Sequence, residues 1–210
     1  MRLIQHINEE NDDDFWEWRS IAKDCKPSLK EIRKWGDHFL FKGTDRILSS
    51  FTEKYVRKDR RPLDMKKWTS NTLDNLSLKK FGWKIRSNSV ICTNNYFMAK
   101  GFGNVYILFP IGKFKAVWYP HAEDIMDKIP YWADIKDIND EEELKRGMGS
   151  DSIDDFRDTL KSKIQDVIDN CVTGPLYNIP PKTEIMINCI SYYLVSYRLI
   201  DDIREKMDEI

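Results

Sequence analysis

The sequence predicts an α+β fold, a central, mostly antiparallel sheet of about six strands covered by helices. Three observations carry that prediction. Apolar residues recur at helical spacing over much of the first 81 positions and again over 151–170. From residue 88, and again from residue 184, the pattern changes to short apolar or β-branched runs separated by Asn, Gly and Pro. The chain has 210 residues, 41% hydrophobic and 12% aromatic, enough to bury a core without a disulfide or a structural metal. A single domain is expected, with a helical N-terminal portion (1–36), an α/β core (37–198) and a C-terminal helix (199–210).

The elements follow in order. The acidic run Glu9–Asp14 precedes Phe15-Trp16-Glu17-Trp18 and suits a helix start, where carboxylates complement the helix dipole. Ser28 after Pro27, with Glu31 three residues on, reads as a capping box, and Gly36 as the helix stop. "HFLFK" (38–42) reads as a short strand. Ile47, Leu48, Phe51, Tyr55 and Val56 sit at helical spacing and predict a helix over 45–57; a second is predicted over 64–81, stopped by Gly82. Strands are predicted near 88–93, 104–110 and 114–119, with one or two helical turns over 94–100. The stretch 137–147 is charged and reads as a solvated helix or loop. Residues 151–170 form an amphipathic helix with Ile153, Phe156, Leu160, Ile164, Val167 and Ile168 on one face. Prolines at 175, 180 and 181 fix a loop before two strands near 184–189 and 191–198.

Lys and Arg total 34 against 35 Asp and Glu, a net charge of −1, so there is no global reason to expect nucleic-acid or membrane-surface binding. Cys25, Cys92, Cys171 and Cys189 are far apart, as are the three histidines, and no zinc-ligand spacing occurs. Reduced, mostly buried thiols are expected. The apolar part of the N-terminus is too short for a signal peptide, and no segment approaches a membrane span, so a cytoplasmic protein is expected. One dense basic stretch stands out, Lys54 to Arg61, with Arg57, Lys58, Arg60 and Arg61. It reads either as a solvated loop or as a phosphate-binding loop, since guanidinium forks match phosphate oxygens in pairs.

Three segments taken together, "FLFKGT" (39–44), "NSVICTNNYFMAKGFG" (88–103) and "KTEIMINCISYYLV" (182–195), resemble the mono-ADP-ribosyltransferase fold of the arginine–serine–glutamate type, especially its small bacteriophage versions. The resemblance covers about a sixth of the chain. It implies NAD as substrate, no metal, and transfer of ADP-ribose to a host protein or nucleic acid in the host cytoplasm. By the family pattern Lys42 takes the place of the arginine and Gly43 that of the glycine after it. Thr93 is the nearest match to the Ser-Thr-Ser hydroxyls. Ala99 and Phe102-Gly103 fit the helix and turn that follow, and Glu184 falls on the glutamate.

Such a site needs a cation for the pyrophosphate and a carboxylate against the oxocarbenium character that builds as the nicotinamide–ribose bond breaks. It also needs a hydroxyl to position both. Catalytic roles are therefore expected for Glu184 and Thr93. Cofactor-binding roles are expected for Lys42, Gly43, Arg86, Arg60 and Arg61. Lys42 and Glu184 are expected on neighbouring strands and facing one cleft, each favouring the other's charged form. Arg86 is expected beside the pocket, a solvent contact being its plain alternative, and alanine there is expected to weaken ligand binding with little change in the melting temperature.

The sequence departs from the family in three places. Lysine offers a point charge where arginine offers a fork, one hydroxyl remains of three, and Lys182 stands where enzymes modifying arginine carry a carboxylate or glutamine. Each residue also has a plain structural alternative. Lys42 reads equally as a strand-end solvent residue, Thr93 as a helix cap, and Glu184 as the polar start of a strand. Two other functional classes stay open. One is a non-catalytic binding module of the same fold that inhibits a host defence factor or sequesters a nucleotide. The other is a nucleic-acid binder using residues 54–61 with Trp68 and Trp83 as stacking surfaces.

Overall fold

The computed structural model describes residues 10–36, 38–58, 60, 67–120, 122–129 and 153–208. Helices α1 (Glu10–Asp24) and α2 (Lys26–Trp35) lead into strands β1 (Phe41–Thr44) and β2 (Phe51–Tyr55). Helix α3 (Lys67–Phe81), strand β3 (Val90–Thr93) and the short helix α4 (Tyr96–Lys100) follow. Next come β4 (Asn104–Pro110), β5 (Lys115–Trp118) and the long helix α5 (Ile153–Asn170). The chain ends with β6 (Val172–Thr173), β7 (Glu184–Asn188), β8 (Ser191–Ser196) and α6 (Ile200–Asp208). Among the described residues the strands form one eight-stranded sheet in the order β2-β8-β4-β1-β3-β7-β5-β6, and each neighbouring pair is antiparallel.

The α+β class and the antiparallel sheet are as the sequence predicts, but two strands were not foreseen. β6 is two residues long and has no readable pattern. β2 replaces part of the helix predicted over 45–57. It lies at the sheet edge, where Phe51 to Tyr55 pair with Val195 to Ser191 of β8. The cause of the misreading is specific: Phe51 and Tyr55 are four residues apart, which is about one helical turn and also two strand repeats. Ile47, counted on the apolar stripe, is 88% exposed. β1 is also displaced from the expected 38–42, so that Lys42 is the second residue of a four-residue strand and not its last.

Ser28 is not the cap of α2. Cys25 occupies that position, and the Ser28 hydroxyl, buried inside the helix, donates to the Cys25 and Pro110 carbonyls at 2.9 and 3.1 Å. Glu31 does not close a capping box; its carboxylate accepts from the Leu176 amide at 2.7 Å. The two predicted glycine stops hold, with Gly36 at φ +74° and Gly82 at φ +83°, conformations that cost a residue with a Cβ.

Helices cover both faces of the sheet. α1, α2 and α6 pack with β1, β4 and β8 through Ile21, Ile32, Ile107, Leu194 and Ile203. α3 and α5 form a second cluster with Val117 and Met186. The register divides the two. Val117 pairs with Met186 and faces α3 and α5, while the adjacent pairs Ala116–Ile187 and Trp118–Ile185 join the other core. α5 contributes Phe156, Leu160, Ile164, Val167 and Ile168, buried as predicted and each worth roughly 1.5–3 kcal/mol of apolar transfer, while the side chain of Ile153 lies outside the described residues. Cys25, Cys92 and Cys171 are buried, Cys189 is half-buried, and all four thiols are free. Among the described residues, no helix is long and apolar enough to cross a membrane. The charged stretch 137–147 and Arg61 lie outside the described residues.

Candidate active site

The order β1-β3-β7 in the sheet brings the three singled-out segments side by side. Between β1 and β3 one register pair forms, Phe41 with Thr93; beyond it β1 continues along β4 and β3 along β7. At this parting of the strands lies a cleft of about 140 Å³. Lys42 and Gly43 line it from β1, Thr93 from β3 and Glu184 from β7, joined by Arg60 and Arg86. Five of these six were expected to share a site with Glu184, although 142 positions separate Lys42 from that residue along the chain.

The pairings inside the cleft differ from expectation. β3 intervenes between β1 and β7, so Lys42 and Glu184 are not on neighbouring strands. Thr93 pairs with both Phe41 and Glu184, so Lys42, next to Phe41, takes the opposite pleat. The partner of Glu184 is Arg86, whose Nη1 donates to Oε1 at 3.0 Å, and the second oxygen, Oε2, accepts from the Ile125 amide at 3.2 Å. Arg86 is 5% exposed and is therefore not a solvent contact. Its Nε–H is buried and has no hydrogen-bond partner among the described residues.

Glu184 favours the charged form of Lys42 as expected, but burial outweighs this at Lys42 and also dominates at Glu184. Burial pushes the Glu184 carboxyl above the ordinary carboxylate range; Arg86 and the Ile125 amide oppose that shift only in part, and Asp124 adds to it. Burial lowers the Lys42 ammonium, the nearby Arg60 lowers it further, and the pull of Glu184 is outweighed. Lys42 is half-buried, so the reading as a strand-end solvent residue does not hold. Thr93 is 6% exposed, and its Oγ1 accepts from the Asn95 amide at 3.2 Å and donates to the Met98 sulfur at 3.5 Å. The hydroxyl thus braces the turn into α4, and Asn95 caps that helix by accepting from the Met98 amide.

Residues that sequence reasoning passed over hold this geometry in place. Asp74, buried on α3, accepts from the Arg86 and Ser87 amides at 3.0 and 3.3 Å and from the Ser87 hydroxyl, fixing the loop that carries Arg86. Asn94 accepts from the Thr183 amide at 2.9 Å and donates to the Pro180 carbonyl at 2.6 Å, tying the end of β3 to the loop before Glu184. Just before that carboxylate, exposed Lys182 sits at φ +56°. An aspartate in a soluble-looking helix pattern and an asparagine beside a turn give no local signal of such roles.

Gly43 has a steric reason. A Cβ there would lie 1.9 Å from the Ala99 carbonyl oxygen and 2.8 Å from Phe102 Cβ, so α4 rests directly on the β1 backbone. Gly43→Ala is expected to push α4 off the strand, lower stability by about 1–3 kcal/mol or more, and distort the cleft. A thermal melt checks this; a wild-type melting temperature would mean that α4 yields without cost. Trp83 is buried, with its indole N–H on Ser89 Oγ at 3.2 Å, and so offers no stacking surface. Among the described residues no group of three His, Cys, Asp or Glu side chains is placed to hold a metal ion. No known protein family, curated protein or solved structure matches this chain.

Proposed function

We propose that the chain binds NAD in this cleft and transfers its ADP-ribose to a macromolecule. One observation carries the reading: a largely buried carboxylate, Glu184 on β7, shares a small cleft with three cations, Lys42 on β1 and Arg60 and Arg86 from loops, brought together from distant parts of the sequence. The cations provide the positive potential that a pyrophosphate requires. The Glu184 carboxylate is the negative charge that opposes the oxocarbenium ion as nicotinamide leaves. Phe102, 70% exposed at the cleft, offers an aromatic surface for a planar ring. The cleft itself takes a nicotinamide-sized group, with the rest of the dinucleotide lying outside it.

A non-catalytic binding module is the second reading, and it too has an observation in its favour. Both Glu184 oxygens already have protein donors, Arg86 and the Ile125 amide. Incubation with NAD labelled in the adenosine moiety, together with measurement of released nicotinamide, separates the two. The transferase reading expects label on an acceptor and stoichiometric nicotinamide. Saturable NAD binding with no nicotinamide released selects the binding module, and no NAD binding at all overturns both.

Lys42→Arg carries a pH signature. Because the Lys42 pKa is lowered, its positive charge is lost at a pH below the ordinary lysine range, and NAD affinity should fall there. An arginine stays charged and adds the two-pronged contact, so the variant should bind NAD at least as tightly at neutral pH and extend binding to higher pH. Titration calorimetry across the alkaline range checks this; identical profiles would remove Lys42 from the phosphate contact.

A further inference from the structure

The cleft does not end at Lys42 and Arg60. Both residues also line an adjoining groove of about 390 Å³, together with Arg46, Lys54 and Arg57. Five cations thus line one groove, and among the described residues no carboxylate does. Tyr55, Val56 and Arg57 are shared in turn with a larger hollow of about 920 Å³, to which Lys58, Lys113 and Lys115 contribute. Among the described residues the only carboxylate there, Glu31, is engaged by the Leu176 amide. Tyr55 stands at the junction, 70% exposed, and Ile190 beside it is 80% exposed.

In a chain of net charge −1, this segregation of cations into a connected track is a local feature that the overall balance conceals. We propose that the track binds single-stranded nucleic acid and leads it to the cleft, which makes nucleic acid the acceptor of the transfer. The assignment rests on the NAD reading for the chemistry, but not for the binding. A row of cations following a groove, with an exposed aromatic ring for a base to stack on, is how single strands are held without sequence preference. The groove is a concave channel along the edge strand β2, and a duplex instead requires a broad positive face. At the cleft a nucleophilic oxygen or nitrogen of the strand forms the new bond to ribose C1′. The C1′–nicotinamide bond breaks, neutral nicotinamide leaves with its electron pair, and the proton lost by the acceptor passes to solvent.

The test is fluorescence anisotropy with a labelled oligothymidylate and the full chain, without NAD. Binding is expected to weaken steeply as salt is raised, as counterion release requires. Reversing two exposed charges, Arg46→Glu in the groove and Lys58→Glu in the hollow, should weaken it about tenfold or more with the melting temperature retained. Undetectable binding, or affinity unmoved by the reversal, overturns the proposal. Equal affinity for a duplex of the same length, or for polyglutamate, overturns the single-strand assignment. The two readings fail separately. Oligonucleotide binding with no label transferred from NAD refutes the transferase and leaves the track, whereas label transferred to protein without oligonucleotide binding refutes the track and leaves the transferase.

Discussion

Arg86→Ala is expected to lower the melting temperature markedly, contrary to what the position of Arg86 before a strand implies. The guanidinium is 5% exposed and donates at 3.0 Å to a carboxylate that is itself largely buried. Its removal leaves Glu184 charged, desolvated and supported only by the Ile125 amide and more distant charges. Breaking a buried pair on one side costs on the order of 3–5 kcal/mol, a large part of the stability of a domain. The deficit should depend on pH in a definite direction. The folded-state pKa of Glu184 is raised above its unfolded value, so the ionised form is the one the fold disfavours. Stability from this group is therefore fully present below the unfolded pKa and is lost as pH rises through the folded one. Without Arg86 that loss grows, so the gap between variant and wild type should be widest near neutral pH and narrow in acid. Melting temperatures of both proteins from neutral to acidic pH measure this. A constant gap would show that Arg86 acts through packing and not through charge.

Glu184→Gln is expected to reduce ADP-ribose transfer by a factor of at least about 10²–10³, the scale for removing a key electrostatic group at a transition state. Glutamine keeps the size of the side chain and retains an oxygen for Arg86 or the Ile125 amide, but it carries no charge against the oxocarbenium ion. NAD affinity should change little if, as proposed, the cations hold the pyrophosphate. On the transferase reading the wild type needs the ionised carboxylate, so the acid limb of its rate profile should lie above the ordinary carboxylate range. Single-turnover rates and NAD affinities for both proteins check the two halves independently. Transfer at the wild-type rate in the variant would exclude Glu184 from the chemistry.

These effects were partly legible before the fold was known. "FLFKGT", the strand ending in Thr93 and the strand opening with Glu184 are local patterns, and each lies in or next to a strand of the sheet. That they line one cleft follows from the strand order, which local pattern does not encode. The Arg86–Glu184 pair spans 98 positions, and nothing in "KIRSNSV" distinguishes a buried guanidinium from a solvent-exposed one.

The sequence by itself determined the α+β class, the buried face of α5, the glycine stops of α2 and α3, and the strands where apolar runs are continuous. Those features arise from short-range patterning, in which each residue carries its own signal of burial or backbone conformation. The tertiary structure decided the rest. It made residues 51–55 an edge strand because β8 offered a partner, and it set Gly43 under the Ala99 carbonyl. It also gave Glu184 to Arg86 instead of Lys42 and gathered cations from β1, β2 and the β4–β5 turn into one track. Charges and backbone contacts acquire partners only when distant segments meet. Burial then fixes their energies, raising the Glu184 pKa and lowering that of Lys42 by desolvation that no linear pattern records.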